Sequence, residues 1–312
     1  MTRRLSRRAV LGAGAVAASV GVAGCSGVGS LVGQSAEEQV RDHESALARF
    51  TDVRTAIGEG YRTTGTYIRG ADGSLGVPFV NVEVSDLDPE RPQAVLYTLT
   101  EDATYEAVGL KWFVPAEDRS SPPSLFGKTF SGPYASDASI IPEHYALHVW
   151  LYRENPDGLF ARYNPALNPP ELVDRIAPVR EALSEFIVGN TAVENGYTNT
   201  ETCVATGDGG YGVAFVRDGT GGSGGTDAET PPVLLYRLTE NWTYQLMGAE
   251  WYVPAVETDD PPTLFGRQFH EPAARHSPKT NQPRHYGLHA WFFRANPRGM
   301  FEPFNPTVAC GE

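Results

Sequence analysis

The chain has 312 residues, a formal net charge of −13, 41% hydrophobic residues, 33 Gly, 24 Pro and 3 Cys. That apolar fraction is too high for a disordered chain, and the length is enough for two ordinary cores. Acidic residues outnumber basic ones 38 to 25, which argues against nucleic acid as a partner, because such affinity comes from Lys and Arg neutralising phosphates. Only three of the basic residues, Lys111, Lys128 and Lys279, are lysines. A Lys-poor, acid-rich surface suits solubility in concentrated salt, where charges are screened and self-repulsion costs little.

Residues 1–24 read as an export signal: Arg7-Arg8 is followed by an apolar small-residue run from Ala9 to Ala23, ending Val22-Ala23-Gly24-Cys25. The run is too short for a comfortable membrane span. The arginine pair resembles a twin-arginine signal, and the last four residues resemble a lipobox, in which cleavage precedes a Cys that becomes lipidated. Cys25 is therefore the expected lipid anchor on the outer face of the cytoplasmic membrane. An uncleaved N-terminal anchor is the alternative, and both leave the rest of the chain outside the membrane. Cleavage removes Arg3, Arg4, Arg7 and Arg8, so the charge drops by four, from −13 to −17. Residues 25–36, rich in Gly and Ser, read as a flexible tether.

The remainder is written twice. His144-Tyr145-Ala146-Leu147-His148-Val149-Trp150 returns as His285-Tyr286-Gly287-Leu288-His289-Ala290-Trp291, and 12 of the 22 positions from His144 to Pro165 are identical at an offset of 141. Such self-similarity marks a tandem repeat. Repeat domain 1 is expected over 37–168 and repeat domain 2 over 169–312, with the boundary among the Asn and Pro residues of Pro165 to Pro170. Each begins with an amphipathic helix, Glu37 to Ile57 in the first and Leu172 to Ile187 in the second. Strand-like runs follow at 77–84, 94–99, 105–114 and 145–152, with counterparts at 213–216, 233–238, 244–253 and 286–293. The expected fold class is α+β: two tandem copies of a domain with one N-terminal helix packed on a small antiparallel sheet of about four strands. Gly219 to Gly225 reads as a flexible insertion between two strands.

With Cys25 assigned to lipid, Cys203 and Cys310 read as one disulfide in an exported chain. A metal-binding pair is the alternative, but neither Cys has a neighbouring His or third Cys. On a strand, His148 and Trp150 share one face, as do His289 and Trp291, so these four are the candidate ligand-binding residues. Histidines four apart on a strand stand roughly 13 Å apart, too far to chelate one ion together. Burial beside Trp150 or Trp291, with hydrogen bonds to backbone, is the competing reading. Asn155-Pro156-Asp157-Gly158 and Asn296-Pro297-Arg298-Gly299 have turn chemistry. Asn241-Trp242-Thr243 is a glycosylation sequon. No nucleophile elbow, phosphate loop or H-E-x-x-H motif occurs.

The tail Leu288-His289-Ala290-Trp291, Asn296-Pro297, Gly299-Met300-Phe301, Asn305-Pro306-Thr307-Val308-Ala309-Cys310 resembles the ending of a family of uncharacterised secreted proteins, mostly single-copy. The likeness reaches upstream to Pro262-Thr263-Leu264-Phe265-Gly266. It implies no activity, but relatives carry a two-His, two-carboxylate set suited to a divalent metal. Here those slots hold Pro78, Gln93, Lys111 and His148 in the first copy, and Ala214, Pro232, Glu250 and His289 in the second, so only Glu250 and His289 persist together.

The resulting expectation is a non-catalytic, lipid-anchored scaffold or small-ligand-binding module of the cell envelope, with no cofactor. One alternative is a metal-binding protein or metal-dependent enzyme using His289 and Glu250; another is a protein–protein interaction module.

Overall fold

Two helices of the first half begin at side-chain caps. Ser35 accepts from the Glu38 N–H while the Glu38 carboxylate accepts from the Ser35 N–H, a reciprocal capping box that starts α1 (Ala36–Asp42). The expected single helix to Ile57 is broken. After α2 (Glu44–Leu47) and a 3-10 turn over Ala48–Thr51, Asp52 turns extended and caps α3 (Val53–Gly58) by accepting from the Arg54 N–H. An Asp side chain competes for nearby backbone N–H groups, which suits a cap better than a helix interior. The second half is broken in a similar order but without side-chain caps: α4 (Glu171–Leu183) follows Pro170, then come a 3-10 turn over Ser184–Phe186 and α5 (Gly189–Glu194).

The computed structural model describes residues 33–117, 119–135, 141–220, 223–273 and 283–310. The expected signal segment, Cys25 and the expected tether up to residue 32 lie outside the described residues. From Ser35 onward the chain forms one compact unit.

Strands of the first half are β1 (Arg62–Thr63), β2 (Ile68–Gly70), β3 (Gly73–Val80), β4 (Ala94–Leu99), β5 (Tyr105–Pro115), β6 (Ser124–Leu125), β7 (Lys128–Thr129), β8 (Ser131–Tyr134) and β9 (His144–Val149). Those of the second are β10 (Tyr197–Thr206), β11 (Gly209–Arg217), β12 (Val233–Leu238), β13 (Tyr244–Pro254), β14 (Thr263–Leu264), β15 (Arg267–Gln268), β16 (His270–Ala273) and β17 (His285–Ala290). The fold is α+β. One antiparallel sheet runs β1-β3-β4-β5-β9-β8, with β2 also on β3, and the other runs β10-β11-β12-β13-β17-β16. The sheets hold seven and six strands rather than about four. The additional strands are edges whose residues, such as Thr198, Asn199 and Thr200, lack the alternating apolar pattern that marks a half-buried strand.

Each sheet is covered on both faces. In the second half one face meets α4 through Phe215, Tyr236, Trp251 and Leu288, and the other buries Tyr211, Val233, Leu235 and Trp291 against Val308 of the terminal tail. The duplicated Trp and Asn residues build that tail. Trp150 Nε1 donates to the Ala161 carbonyl and Trp291 Nε1 to the Glu302 carbonyl, both at 2.7 Å. Fully buried Asn164 and Asn305 exchange backbone hydrogen bonds with Ser74 and Gly210. Their side chains are paired as well: Asn164 Nδ2–H donates to the Glu154 carbonyl and Asn305 Nδ2–H to the Ala295 carbonyl, while their Oδ1 atoms accept from the Ala166 and Thr307 N–H groups, so Asn at these positions is structural. The Cys203–Cys310 disulfide ties β10 to the tail, closing a separation of 107 residues.

The halves interlock. The β4–β5 turn presents the Ala103 carbonyl to the Met300 N–H at 2.8 Å, and Leu99 and Ala103 join the core of the second half. The β12–β13 turn has the same backbone: Ala103 and Trp242 both adopt left-handed φ, 61° and 58°. Yet Trp242 is 82% exposed. The Gly219 to Gly225 insertion lies between β11 and β12, and its end is packed: the Gly225 N–H donates to the Tyr252 carbonyl at 2.9 Å. A Cβ on Gly224, at φ +64°, would fall 2.0 Å from that carbonyl, so only glycine fits there. Among the described residues no helix is long and apolar enough to cross a membrane.

Candidate functional site

On β9 the residues His144, Ala146 and His148 point away from the helices, as do His285, Gly287 and His289 on β17, because side chains alternate along a strand. Cross-strand pairing then decides what each histidine meets. Lys111 of β5 stands opposite His148, and Glu250 of β13 stands opposite His289. All are buried: His148 is 3% exposed, His289 2%, Lys111 0% and Glu250 1%. Matching positions in the two sheets thus carry opposite charge.

In the second half the Glu250 carboxylate collects both imidazoles. His285 Nε2 lies 3.3 Å from Oε1, and His289 Nε2 lies 4.0 Å from Oε2. The spacing of four residues that separates these histidines along β17 does not keep their rings from one carboxylate. His285 Nδ1–H donates to the Pro283 carbonyl at 2.7 Å, so Nε2 can donate to Glu250 only in the imidazolium form. Burial pushes the His285 pKa down, but the hydrogen bond and charge of Glu250, with the Pro283 carbonyl, outweigh it and raise the pKa above the ordinary value. Burial, then the Glu250 charge, raises the Tyr211 phenol.

The first half has the reverse character. Burial drives the His148 pKa well below its ordinary value, and the nearby charges of Lys111, Arg162 and His144 push it the same way. His148 is therefore neutral near pH 7. Tyr134 packs edge-on to His144 and His148, with the Arg162 guanidinium 3.7 Å from the Tyr134 ring centre.

Of the candidate ligand-binding residues, His148 and His289 thus lie in these buried clusters, while Trp150 and Trp291 anchor the tails by their indole N–H groups. Glu250 and His289 are brought together. Among the described residues no group of three or more His, Cys, Asp or Glu side chains is arranged to hold a metal ion. Asn241 sits in the exposed β12–β13 turn beside Trp242.

A cleft of about 660 Å³ lies elsewhere, between the halves. Its floor is apolar, with Val77, Leu99, Ile176, Phe292 and Met300, and Tyr67 and Tyr105 form one wall. Burial raises the pKa of both phenols, so they act as neutral hydrogen-bonding groups. Asp174 of α4 and Arg69 of β2 close one side of the mouth at 2.7 Å. Arg180 reaches into the cleft from α4. No pattern along the sequence marks this cleft, because its lining comes from both halves. One local signal was present: Arg180 falls on the stripe of Val173, Ile176 and Leu183, where a cation is out of pattern. Comparison with protein-family models, curated proteins and solved structures finds no match.

Proposed function

We propose that the chain is a non-catalytic ligand-binding protein of the cell envelope, exported and anchored by lipid on Cys25, and built from two tandem copies of one helix-and-sheet unit. Its ligand sits in the cleft between the halves. The observation that carries this reading is the cleft: about 660 Å³, within the range of small-molecule sites, mostly apolar, with few polar groups converging on it. The shared strand order and register of the two sheets support the tandem reading, and the intervening space supports a site that neither half supplies alone.

Ala177 lines the cleft on an exposed turn of α4, so Ala177→Trp should fill it without touching a core. In a thermal-shift screen of small apolar and amphiphilic compounds, a ligand at a hundredfold excess over its Kd should stabilise the native chain by about 2.7 kcal/mol. That stabilisation should vanish in Ala177→Trp. Stabilisation that persists in the variant, or none from any compound, would overturn the reading.

A second reading, a divalent cation held by Glu250 and His289, draws on the approach of two imidazoles to one carboxylate. Lys111 occupies the equivalent place in the first half, so only the second would serve. Stoichiometric metal in protein purified without chelator is the expected result. Metal-free protein would sink it.

A further inference from the structure

Arg180 is the group in the cleft whose charge lacks an explanation in packing. Its guanidinium is half-buried and crosses to the first half, where Nη2–H donates to the Thr64 carbonyl at 2.8 Å and Nη1–H to the Thr66 hydroxyl at 3.2 Å. Nε–H donates to the Phe292 carbonyl at 3.4 Å, and the group stands 5.3 Å from the centre of the Phe293 ring. The approach is built into the backbone: a Cβ on Gly65, which has φ +67°, would lie 2.4 Å from Nη2. All three acceptors are neutral. A guanidinium carries five N–H groups, so two remain for a ligand.

The other charges around the cleft do not neutralise it. Asp174 is bound by Arg69, and Glu181, which lines the cleft on the next position of the helix, is exposed to solvent, where its charge is screened. Among the described residues no carboxylate forms an ion pair with Arg180. A cation taken out of water and given only neutral partners gains most from an anion, and a planar guanidinium matches a carboxylate with two parallel hydrogen bonds.

We infer that the ligand of the cleft is an amphiphilic monocarboxylate, its carboxylate on the two remaining N–H groups of Arg180 and its hydrocarbon body along Ile176, Leu99, Phe292 and Met300. This rests on the cleft reading above and adds the ligand's chemical class. The apolar floor excludes small hydrophilic acids as good ligands, because they would leave it wet. Among the described residues lining the cleft, Arg180 is the cation without an ion-pair partner, which favours a ligand with one negative charge.

The test compares decanoate, decan-1-ol and decylammonium by calorimetric titration of the full chain. Decanoate should bind roughly tenfold or more tightly than the alcohol, the usual gain for hydrogen bonds to a charged group, and the ammonium should bind most weakly. Because Arg180 also ties the halves together, its replacement confounds binding with folding. Ala177→Glu instead places a carboxylate three residues before Arg180 on the same helix face, and should abolish the preference for acid over alcohol. Ala177→Gln adds the same bulk without charge and should weaken both ligands alike, keeping their ratio. Equal affinity for acid and alcohol, or a preference unchanged in Ala177→Glu, overturns the carboxylate inference and leaves the cleft as a neutral site. Failure of all three probes to bind the native chain overturns the cleft reading itself.

Discussion

The double substitution Cys203→Ser, Cys310→Ser is expected to lower the free energy of unfolding by about 3–5 kcal/mol. The bridge closes a separation of 107 residues, for which the chain-entropy relation gives about 4.8 kcal/mol. The native state should lose little of its structure. Asn305 exchanges two backbone hydrogen bonds with Gly210, and Val308 is buried against the sheet, so the tail is held by more than sulfur. The effect therefore falls mainly on the unfolded ensemble, which becomes free to expand. Chemical denaturation should show a lower midpoint with an equal or steeper slope, since the slope follows the surface exposed on unfolding. An unchanged midpoint would mean that the bridge constrains nothing that the unfolded chain would otherwise explore.

Acid should destabilise the protein through His148, and His148→Gln should relieve it. In the folded chain its pKa lies well below the ordinary value, whereas in the unfolded chain it is about 6.5. Between those values the unfolded state binds a proton that the native state does not. Stability then rises with pH, and it falls by up to about 1.4 kcal/mol per unit as pH drops below about 6.5, until the folded pKa is reached. His285 works in the opposite sense. Its raised pKa contributes stability that is fully present below about 6.5 and is lost as pH rises through the folded value. Denaturation curves measured from pH 7 to 4.5 should therefore show a shallower acid decline in His148→Gln than in the native chain. Identical slopes would mean that His148 takes up its proton without unfolding.

The central strands were legible because β3 to β5, β9 and their counterparts are continuous apolar and aromatic runs, as strands buried on both faces must be. The edge strand β10 was not, since Thr198 and Asn199 belong to no apolar alternation and only their pairing with β11 makes them strand, while Glu201 and Thr202 fall in the irregularity of that pairing between Asn199 and Cys203. The first helix was placed but not its break, which depends on whether Asp52 sits inside a helix or caps one. The candidate site divides similarly. His148 and His289 stand out by residue type and repetition and Glu250 by the resemblance, whereas the burial of Lys111 leaves no mark in sequence and Arg180 shows only as a cation on an apolar helix stripe. Only tertiary structure shows that one is buried opposite a histidine and the other crosses a cleft. No periodicity along one segment can reveal a space bounded by two halves of a chain.

The two turns with the same backbone, at Ala103 and Trp242, place very different steric limits on the side chain. Ala103 is 1% exposed and bonded to Met300, so any larger side chain there must displace the neighbouring half. At Trp242 the same left-handed position is 82% exposed, and side-chain size carries no such penalty. A turn that serves as a joint in one half is thus open ground for new sequence in the other, and novelty can accumulate on the second half without loosening the first.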